Sequence, residues 1–292
     1  MINKILFASD LSQRAERAGY RAAQLAEQFD AELLAMHVIE RDFPGLSSPF
    51  SAAPDPTALL SALAEQRLQE STPGRRAVPQ VVVGDTVGEL VRAADEQDGG
   101  VDLVVLGAHG QQHVKEWLLG TTTEHLVRHS TRPTLVVRGA GGERPYQRIA
   151  VAVDFSECSR EALRCAVAWF PEAEFYVLHV LETEALDRMR AAGVSEDRVD
   201  QHYRELFNET QQTLTDFVAE AIDPTAELMH RFHLEVHAGH PATITRGALE
   251  GLQPDLVVLG NHGRGRWGNV LLGSLASRLL RELEQDILMV RD

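Results

Sequence analysis

This chain of 292 residues has few cysteines, no long apolar run and no excess of basic residues. Its two cysteines, Cys158 and Cys165, are too few for a disulfide framework. On one helix they would lie about two turns apart, too far for a bond, and we interpret both as small core residues. No stretch approaches the roughly 20 apolar residues that span a bilayer, and Ser9 and Asp10 interrupt the first apolar run, which is not typical of a signal peptide. We therefore expect a cytoplasmic protein.

The formal net charge of −15 limits the partners that the chain is expected to bind. Nucleic-acid-binding proteins usually carry a basic face, and an acidic surface disfavours anionic membranes. We therefore expect neither nucleic acid nor membrane as a partner. A small anionic ligand is still compatible with this charge, because backbone N–H groups can hold a phosphate locally.

The second half of the chain repeats the first. The segment VDLVVLGAHG at 101–110 is identical to PDLVVLGNHG at 254–263 in eight of ten positions. Weaker matches precede these segments in the same order, so the repeat is the duplication of a whole domain. The glycine-rich join GAGGERPYQ is typical of a linker. We predict domains over 1–140 and 146–292, with the linker at 139–147.

Each half alternates short apolar strand candidates with helical patterns. Strands that are apolar throughout are typical of parallel sheets that are buried on both faces. We therefore predict an α/β fold of two tandem doubly wound domains, each a five-stranded parallel sheet flanked by helices. Ligands on such sheets bind beyond the carboxyl ends of the strands, so residues that follow strands are the candidates for a site.

A glycine pattern follows the fourth strand candidate of each half. Gly107 and Gly110 are followed after nine residues by Gly120 and Thr121, and the second half repeats this G-x2-G-x9-G-[ST] spacing. The repeated residues are Gly260, Gly263, Gly273 and Ser274. The nine intervening residues have diverged, from QQHVKEWLL to RGRWGNVLL, while the glycines remain.

This pattern favours phosphate binding. Glycines let backbone N–H groups approach an anion closely, and helix N-termini attract phosphate through unpaired N–H groups and the helix dipole. We expect Thr121 and Ser274 to cap the following helices, with hydroxyls that could also bind a phosphate oxygen. The alternative is that these residues are only turn glycines and helix caps.

The chain resembles the universal stress proteins, whose nucleotide-binding signature is this glycine pattern after a strand. The resemblance covers essentially the whole chain twice, and it includes the Asp that ends the first strand and the His-Val pair at the end of the second. It implies an adenine nucleotide α-hydrolase-like, Rossmann-like fold that binds ATP. The residues implied in the first half are Asp10, Val38, Gly107, Gly110, Gly120 and Thr121. Those implied in the second half are Asp154, Val180, Gly260, Gly263, Gly273 and Ser274.

The two implied sites are not equal in charge. Arg264 and Arg266 lie between the glycines of the second half, and two guanidinium groups suit a triphosphate. In the first half Lys115 lies beside Glu116 and its charge is nearly cancelled. We therefore expect the second half to be the stronger ATP site. His262 and its counterpart His109 either contact the nucleotide or reflect common descent, and the sequence leaves both readings open.

No catalytic or metal-binding pattern accompanies the glycines. The P-loop, dinucleotide-binding, nucleophile-elbow and zinc-protease motifs are absent, and the histidines repeat no strong ligand spacing. We predict no catalytic residue and no metal site, and at most slow ATP hydrolysis. The function expected is that of a stress-response sensor that binds ATP. Whether Mg²⁺ binds together with ATP is left open by the sequence. A slow ATP hydrolase and a scaffold with degenerate sites are the alternatives.

Partners other than the adenine nucleotide are expected from the same interpretation. A sensor implies regulatory proteins that respond to the bound state, and the sequence does not identify them. Two similar domains in one chain predict an internal pseudo-dimer, and a homodimer of two chains stays open.

Overall fold

The computed structural model divides the chain into two compact units, Met1–Pro145 and Tyr146–Asp292. The residues that it describes are 2–40, 56–72, 77–95, 100–108, 120–138, 144–222, 229–261 and 272–291. Both units alternate strands and helices, as the sequence predicts.

The first unit contains a parallel sheet with the strand order β3-β2-β1-β4-β5. Its strands are β1 (Lys4–Ala8), β2 (Glu32–Glu40), β3 (Val78–Gly84), β4 (Leu103–Gly107) and β5 (Thr134–Val137). Its helices are α1 (Gln13–Phe29), α2 (Pro56–Glu70), α3 (Thr86–Asp95) and α4 (Thr121–His129).

The second unit contains a parallel sheet with the equivalent order β8-β7-β6-β9-β10. Its strands are β6 (Arg148–Ala152), β7 (Glu174–Leu181), β8 (Phe232–Ala238), β9 (Leu256–Gly260) and β10 (Asp286–Val290). Its helices are α5 (Glu157–Trp169), α6 (Glu184–Ala191), α7 (Glu196–Ala221), α8 (Pro241–Leu252) and α9 (Ser274–Glu282). The predicted fold class of two tandem doubly wound domains is confirmed.

The central strands form the core of each unit. In β1 the side chains of Ile5, Leu6 and Phe7 are fully buried although they point to alternate faces of the sheet. Such burial on both faces requires helices on both sides, which is why these strands are apolar throughout. In each unit the strand order reverses beside the first strand, where a doubly wound sheet opens a crevice at its carboxyl edge.

A carboxylate fixes the start of the first strand in each unit. Asp102 Oδ2 accepts hydrogen bonds from the backbone N–H groups of Asn3 and Lys4, at 2.6 and 3.0 Å. Asp255 Oδ2 accepts the equivalent bonds from Gln147 and Arg148, at 3.0 and 2.9 Å. The same hydrogen bonds thus link the first and fourth strands in both units. They fix the alignment of the two strands, and therefore where each strand ends at the opposite edge.

None of the helices in the described ranges combines the length and the apolar character that crossing a membrane requires.

The two cysteines lie on α5 in different surroundings. Cys158 is buried, and its Sγ lies 3.3 Å from the carbonyl oxygen of Val290. Cys165 is half-buried, and its Sγ lies 3.7 Å from Glu161 Oε1. Burial, reinforced by the Glu161 carboxylate, raises the pKa of the Cys165 thiol to about 12. The thiolate, which is the reactive form, is therefore disfavoured in the folded chain.

We expect Cys165 to react slowly with iodoacetamide at pH 8 in the folded chain and much faster after unfolding in urea. A thiol in the unfolded chain ionises near pH 8.5, whereas the folded chain retains this proton up to about pH 12. Cys165 therefore contributes its full stabilisation below pH 8.5, and that contribution is lost as the pH rises toward 12. Labelling of a Cys158→Ala variant, read by intact mass, isolates Cys165, and Glu161→Gln should raise its rate. Equal rates for folded and unfolded protein would contradict this.

Candidate functional site

The first strand of each unit ends in a tight turn around an aspartate. Asp10 Oδ1 accepts a hydrogen bond from the backbone N–H of Ser12 at 3.0 Å. Asp154 Oδ1 accepts from both the N–H and the hydroxyl of Ser156, at 3.1 and 2.5 Å. Each Ser then caps the following helix, because its hydroxyl accepts from the N–H three residues later. The turn fixes each aspartate at the carboxyl edge of the sheet.

The residue after each aspartate adopts a left-handed backbone conformation. Leu11 has a φ of 61° and Phe155 a φ of 63°. Neither is glycine, so each turn stores backbone strain, on the order of 1–3 kcal/mol. Such strain persists only where the surrounding contacts determine the conformation, and the same strain in both units marks this turn as a functional candidate.

A histidine from the second strand supports each turn. The Nδ1 of His37 lies 2.8 Å from the carbonyl oxygen of Ser9, and the Nδ1 of His179 lies 2.8 Å from that of Val153. Both carbonyls belong to the residue before the aspartate. Because a carbonyl can only accept, each Nδ1 must carry the proton. The sequence did not predict this structural role of the two histidines. The repeat of the His-Val pair at the end of the second strand in both halves was the signal that could have indicated it.

The valine of each His-Val pair directs its backbone toward the same turn. Val38 and Val180 lie within β2 and β7, opposite Val82 and His237 of the edge strands. Two residues earlier, Met36 and Leu178 accept hydrogen bonds from Ser9 and Val153. Backbone groups on alternate residues of a strand point to the same side, so those of Val38 and Val180 point to the first-strand side. The ladders with β1 and β6 end at Met36 and Leu178.

The glycine cap of the next helix lies against the end of the fourth strand in each unit. The Gly120 N–H donates to the carbonyl of Ala108 at 2.9 Å, and the Gly273 N–H donates to the carbonyl of Asn261 at 2.9 Å. Register places Ala8 beside Leu106 and Ala152 beside Leu259. The aspartate turn and the glycine cap of each unit therefore follow neighbouring strands at one edge of the sheet.

The helix caps differ from the expectation for Thr121 and Ser274. Gly120 and Gly273 are the N-caps, with extended ψ angles of 145° and 149°, and Thr121 and Ser274 are the first helical residues. Glycine has no side chain that could cap the first-turn N–H groups, whereas Ser12 and Ser156 cap α1 and α5. The first turns of α4 and α9 begin at exposed residues, Thr121 and Ser274, and their N–H groups have no acceptor carbonyl within their own helix.

Gly260 has a role in packing that the sequence pattern did not indicate. A Cβ placed on Gly260 would lie 3.0 Å from the carbonyl carbon of Cys158 and 3.0 Å from the backbone nitrogen of Ser159. The glycine therefore lets the first turn of α5 pass directly over the end of β9. It therefore serves helix–strand packing, and the expected approach of its backbone to an anion stays a prediction.

Several predicted site residues lie outside the described part of the chain. These are Gly110, His262, Gly263, Arg264 and Arg266. The residues that the structure places at the carboxyl edges are Asp10, Val38, Gly107, Gly120 and Thr121 in the first unit, and Asp154, Val180, Gly260, Gly273 and Ser274 in the second. Within the ranges given above, no three histidine, cysteine or acidic side chains are grouped closely enough to hold a metal ion.

The comparisons with known proteins match this duplicated architecture. The model of the universal stress protein family matches residues 1–138 and again residues 145–291. The chain belongs to the universal stress protein family. The resemblance inferred from the glycine pattern is thereby confirmed for both halves.

Relatives of this universal stress protein match either about half of the chain or nearly all of it. A universal stress protein of Mycolicibacterium smegmatis is 27% identical in a match 312 positions long, and the match covers 98% of this chain and 96% of that protein. One of Methanocaldococcus jannaschii is 28% identical over 157 residues, covering 47% of this chain and 96% of that protein. The crystal structure of a universal stress protein from Archaeoglobus fulgidus matches with a TM-score of 0.64 and 18% identity, covering 100% of this chain and 99% of that one, and shows the shared fold.

We expect Gly260→Ala to lower the stability of the second unit by about 1–3 kcal/mol, the usual cost of forcing an extra carbon into a packed core. The added Cβ would meet backbone atoms of α5, which cannot rotate away as a side chain could. Gly247→Ala is the matched control, because a Cβ there meets nothing within 4 Å. Its helical position predicts unchanged or slightly raised stability. Urea unfolding of both variants measures this, and equal stability would contradict the packing role.

Ser156→Ala should cost more stability than Ser12→Ala. Each change removes a helix cap, worth about 1 kcal/mol. The Ser156 hydroxyl also donates to Asp154 at 2.5 Å, so its loss removes a further charge-assisted hydrogen bond. Hydrogen exchange of peptides from α1 and α5 reports the two losses separately. Equal loss of protection in both helices would show that the additional bond contributes nothing.

Proposed function

We propose that this universal stress protein binds an adenine nucleotide, with ATP as the preferred ligand. We propose further that it acts as a sensor whose conformation depends on whether the nucleotide is bound. The observation that carries the proposal is the repeated carboxyl edge. In each unit it combines an aspartate turn, a valine backbone directed toward that turn and a glycine-capped helix N-terminus. Duplicated domains that diverged elsewhere have both kept this combination.

The glycine-capped helices supply the phosphate end of the proposed site. The first turns of α4 and α9 present N–H groups at the positive end of the helix dipole, where phosphate is stabilised. Thr121 and Ser274 are exposed first-turn residues, so their hydroxyls can donate to a phosphate oxygen. Any Mg²⁺ would accompany the phosphates as part of the ligand.

The aspartate turn and the valine supply the adenosine end. A strand residue offers one N–H donor and one C=O acceptor on the same side, which suits the acceptor and amino donor on the edge of adenine. The carboxylates of Asp10 and Asp154 can accept hydrogen bonds from ribose hydroxyls. Both features lie at the carboxyl edge, as does the helix N-terminus, so one nucleotide could contact all of them.

The second unit is proposed as the stronger site. Arg264 and Arg266 add positive charge to its glycine segment, and their support rests on the sequence because they lie outside the described residues. Guanidinium groups bind phosphates with two parallel hydrogen bonds. Binding there would favour one conformation of the protein over another, and regulatory proteins or a second copy of the chain would respond to that state.

A thermal shift assay with Mg-ATP tests the proposal. A ligand that binds only the folded form adds about 2.7 kcal/mol of stability at 100 times its Kd. We expect Gly273→Asp to abolish most of the shift in melting temperature and Gly120→Asp to remove little of it. The introduced carboxylate would stand at the phosphate position and repel it.

Asparagine at the same positions is the matched control. Asp and Asn are both favourable N-cap residues, so Gly273→Asn keeps the helix and the size of the side chain without the charge. A shift that survives in the Asn variant but not in the Asp variant supports phosphate binding at this helix. No shift in wild-type protein shown to be free of nucleotide would overturn the proposal, and equal effects of Gly120→Asp and Gly273→Asp would overturn the ranking of the sites.

A further inference from the structure

Aromatic rings surround the aspartate turn of the second unit. The Phe155 ring is stacked on the His179 imidazole, with centroids 4.0 Å apart and planes 26° apart. The Phe155 ring also meets Phe217 of α7 edge to face, with the centroids 5.5 Å apart. The Arg160 guanidinium lies 4.5 Å from the centroid of the Phe217 ring. We call Phe155, His179 and Phe217 the aromatic cluster.

The His179 imidazole contacts both neighbours of Asp154. Its Nδ1–H donates to the carbonyl of Val153 at 2.8 Å, and its face supports the ring of Phe155. Asp154 lies between these two residues, and Phe155 holds the strained left-handed conformation. His179 therefore holds the chain on both sides of Asp154, and the hydrogen bonds from Ser156 direct its carboxylate. Phe217 is only 4% exposed and closes the cluster from the helix side.

The first unit has the same turn, but within its described residues no aromatic ring is paired with the histidine that supports it. Leu11 occupies the position of Phe155 with nearly the same φ, and His37 keeps the hydrogen bond to the preceding carbonyl. Glu16 stands where the second unit has Arg160, since both lie six residues after the turn aspartate. A small cleft is open beside this turn, lined by Ser9, Leu11, Ser12, Glu16, Arg67 and Ser71. Among the described residues, the first unit thus has a leucine and a small cleft beside this turn, where the second unit has aromatic rings.

We propose that the aromatic cluster is a positioning device for Asp154 and makes the second unit the tighter nucleotide site. A carboxylate that is already held in its binding direction loses less conformational freedom when a ligand binds. Aromatic pairs also resist displacement through both area and ring geometry. Phe155 and Phe217 act through Asp154 and need not touch the nucleotide themselves. The inference rests on the proposed binding of an adenine nucleotide.

A double-mutant cycle on the full chain tests this role. All proteins in the cycle carry Gly120→Asp, so that only the second site is measured, and this single variant is the reference. Titration calorimetry with Mg-ATP compares the reference with Phe155→Leu, Asp154→Asn and the combination of both changes in the same background. Leucine is the residue that the first unit uses at this position. We expect Phe155→Leu to weaken binding by about fivefold to tenfold, within the range measured for residues in contact. In the Asp154→Asn background the same change should weaken binding less than about twofold.

Phe217→Leu should give the same pattern, because it removes the second ring contact without touching the turn. Phe232→Leu is the control for a general loss of stability. It breaks another aromatic pair of this unit, the stack of Phe232 on Phe175 at 5.0 Å, near the amino end of the sheet. We expect it to lower the melting temperature while leaving the affinity for ATP unchanged.

The outcomes separate this inference from the proposed function. Binding by the Gly120→Asp reference with equal losses from Phe155→Leu in both backgrounds would overturn the positioning role and leave nucleotide binding intact. If Phe232→Leu weakened ATP binding as much as Phe217→Leu, the positioning role would be overturned as well. The loss of affinity would then follow from lower stability alone. No binding by the Gly120→Asp reference would overturn both the second site and the role assigned to the cluster.

Discussion

The parallel direction of the strands is the constraint on which the arrangement of both units depends. Every strand pair described within each sheet is parallel, so each strand ends at the same edge and each connection must return along the opposite direction. The residues that leave the first, second and fourth strands therefore meet at one edge. At the other edge, Asp102 and Asp255 align the first and fourth strands of their units. This alignment sets the relative position of the residues that follow these two strands.

The edge is then shaped by backbone groups more than by side chains. Gly120 and Gly273 are N-caps without a capping side chain at the first turns of α4 and α9. Val38 and Val180 direct their peptide groups past the last ladder pair of the neighbouring strand. Side chains contribute where a charge or a support is needed, as with Asp154 and His179. A chain with an acidic surface can hold a phosphate in this way, because the groups involved are local dipoles.

Duplication makes the two units comparable almost residue by residue. Both keep the left-handed residue after the aspartate and the histidine that donates to the preceding carbonyl. They differ in what packs on that turn, with Leu11 beside a small cleft in one unit and Phe155 under Phe217 in the other. The shared contacts account for the conformation of the turn, and the differing contacts are the basis of the proposed difference between the two sites.

The sequence by itself determined the duplication, the alternation of strands and helices, the glycine spacing and the family. The first three features are local or repeated, so period and spacing are enough to recognise them, whereas the family followed from the resemblance of the glycine pattern to a known signature. Only the tertiary structure decided that Gly260 makes room for α5, that Gly120 and Gly273 rather than Thr121 and Ser274 cap their helices, and that His179 supports both neighbours of Asp154. The packing of Gly260 and the role of His179 depend on contacts between different elements, and the start of each capped helix depends on the hydrogen bond from its glycine to the residue that follows the fourth strand. No local pattern encodes these approaches.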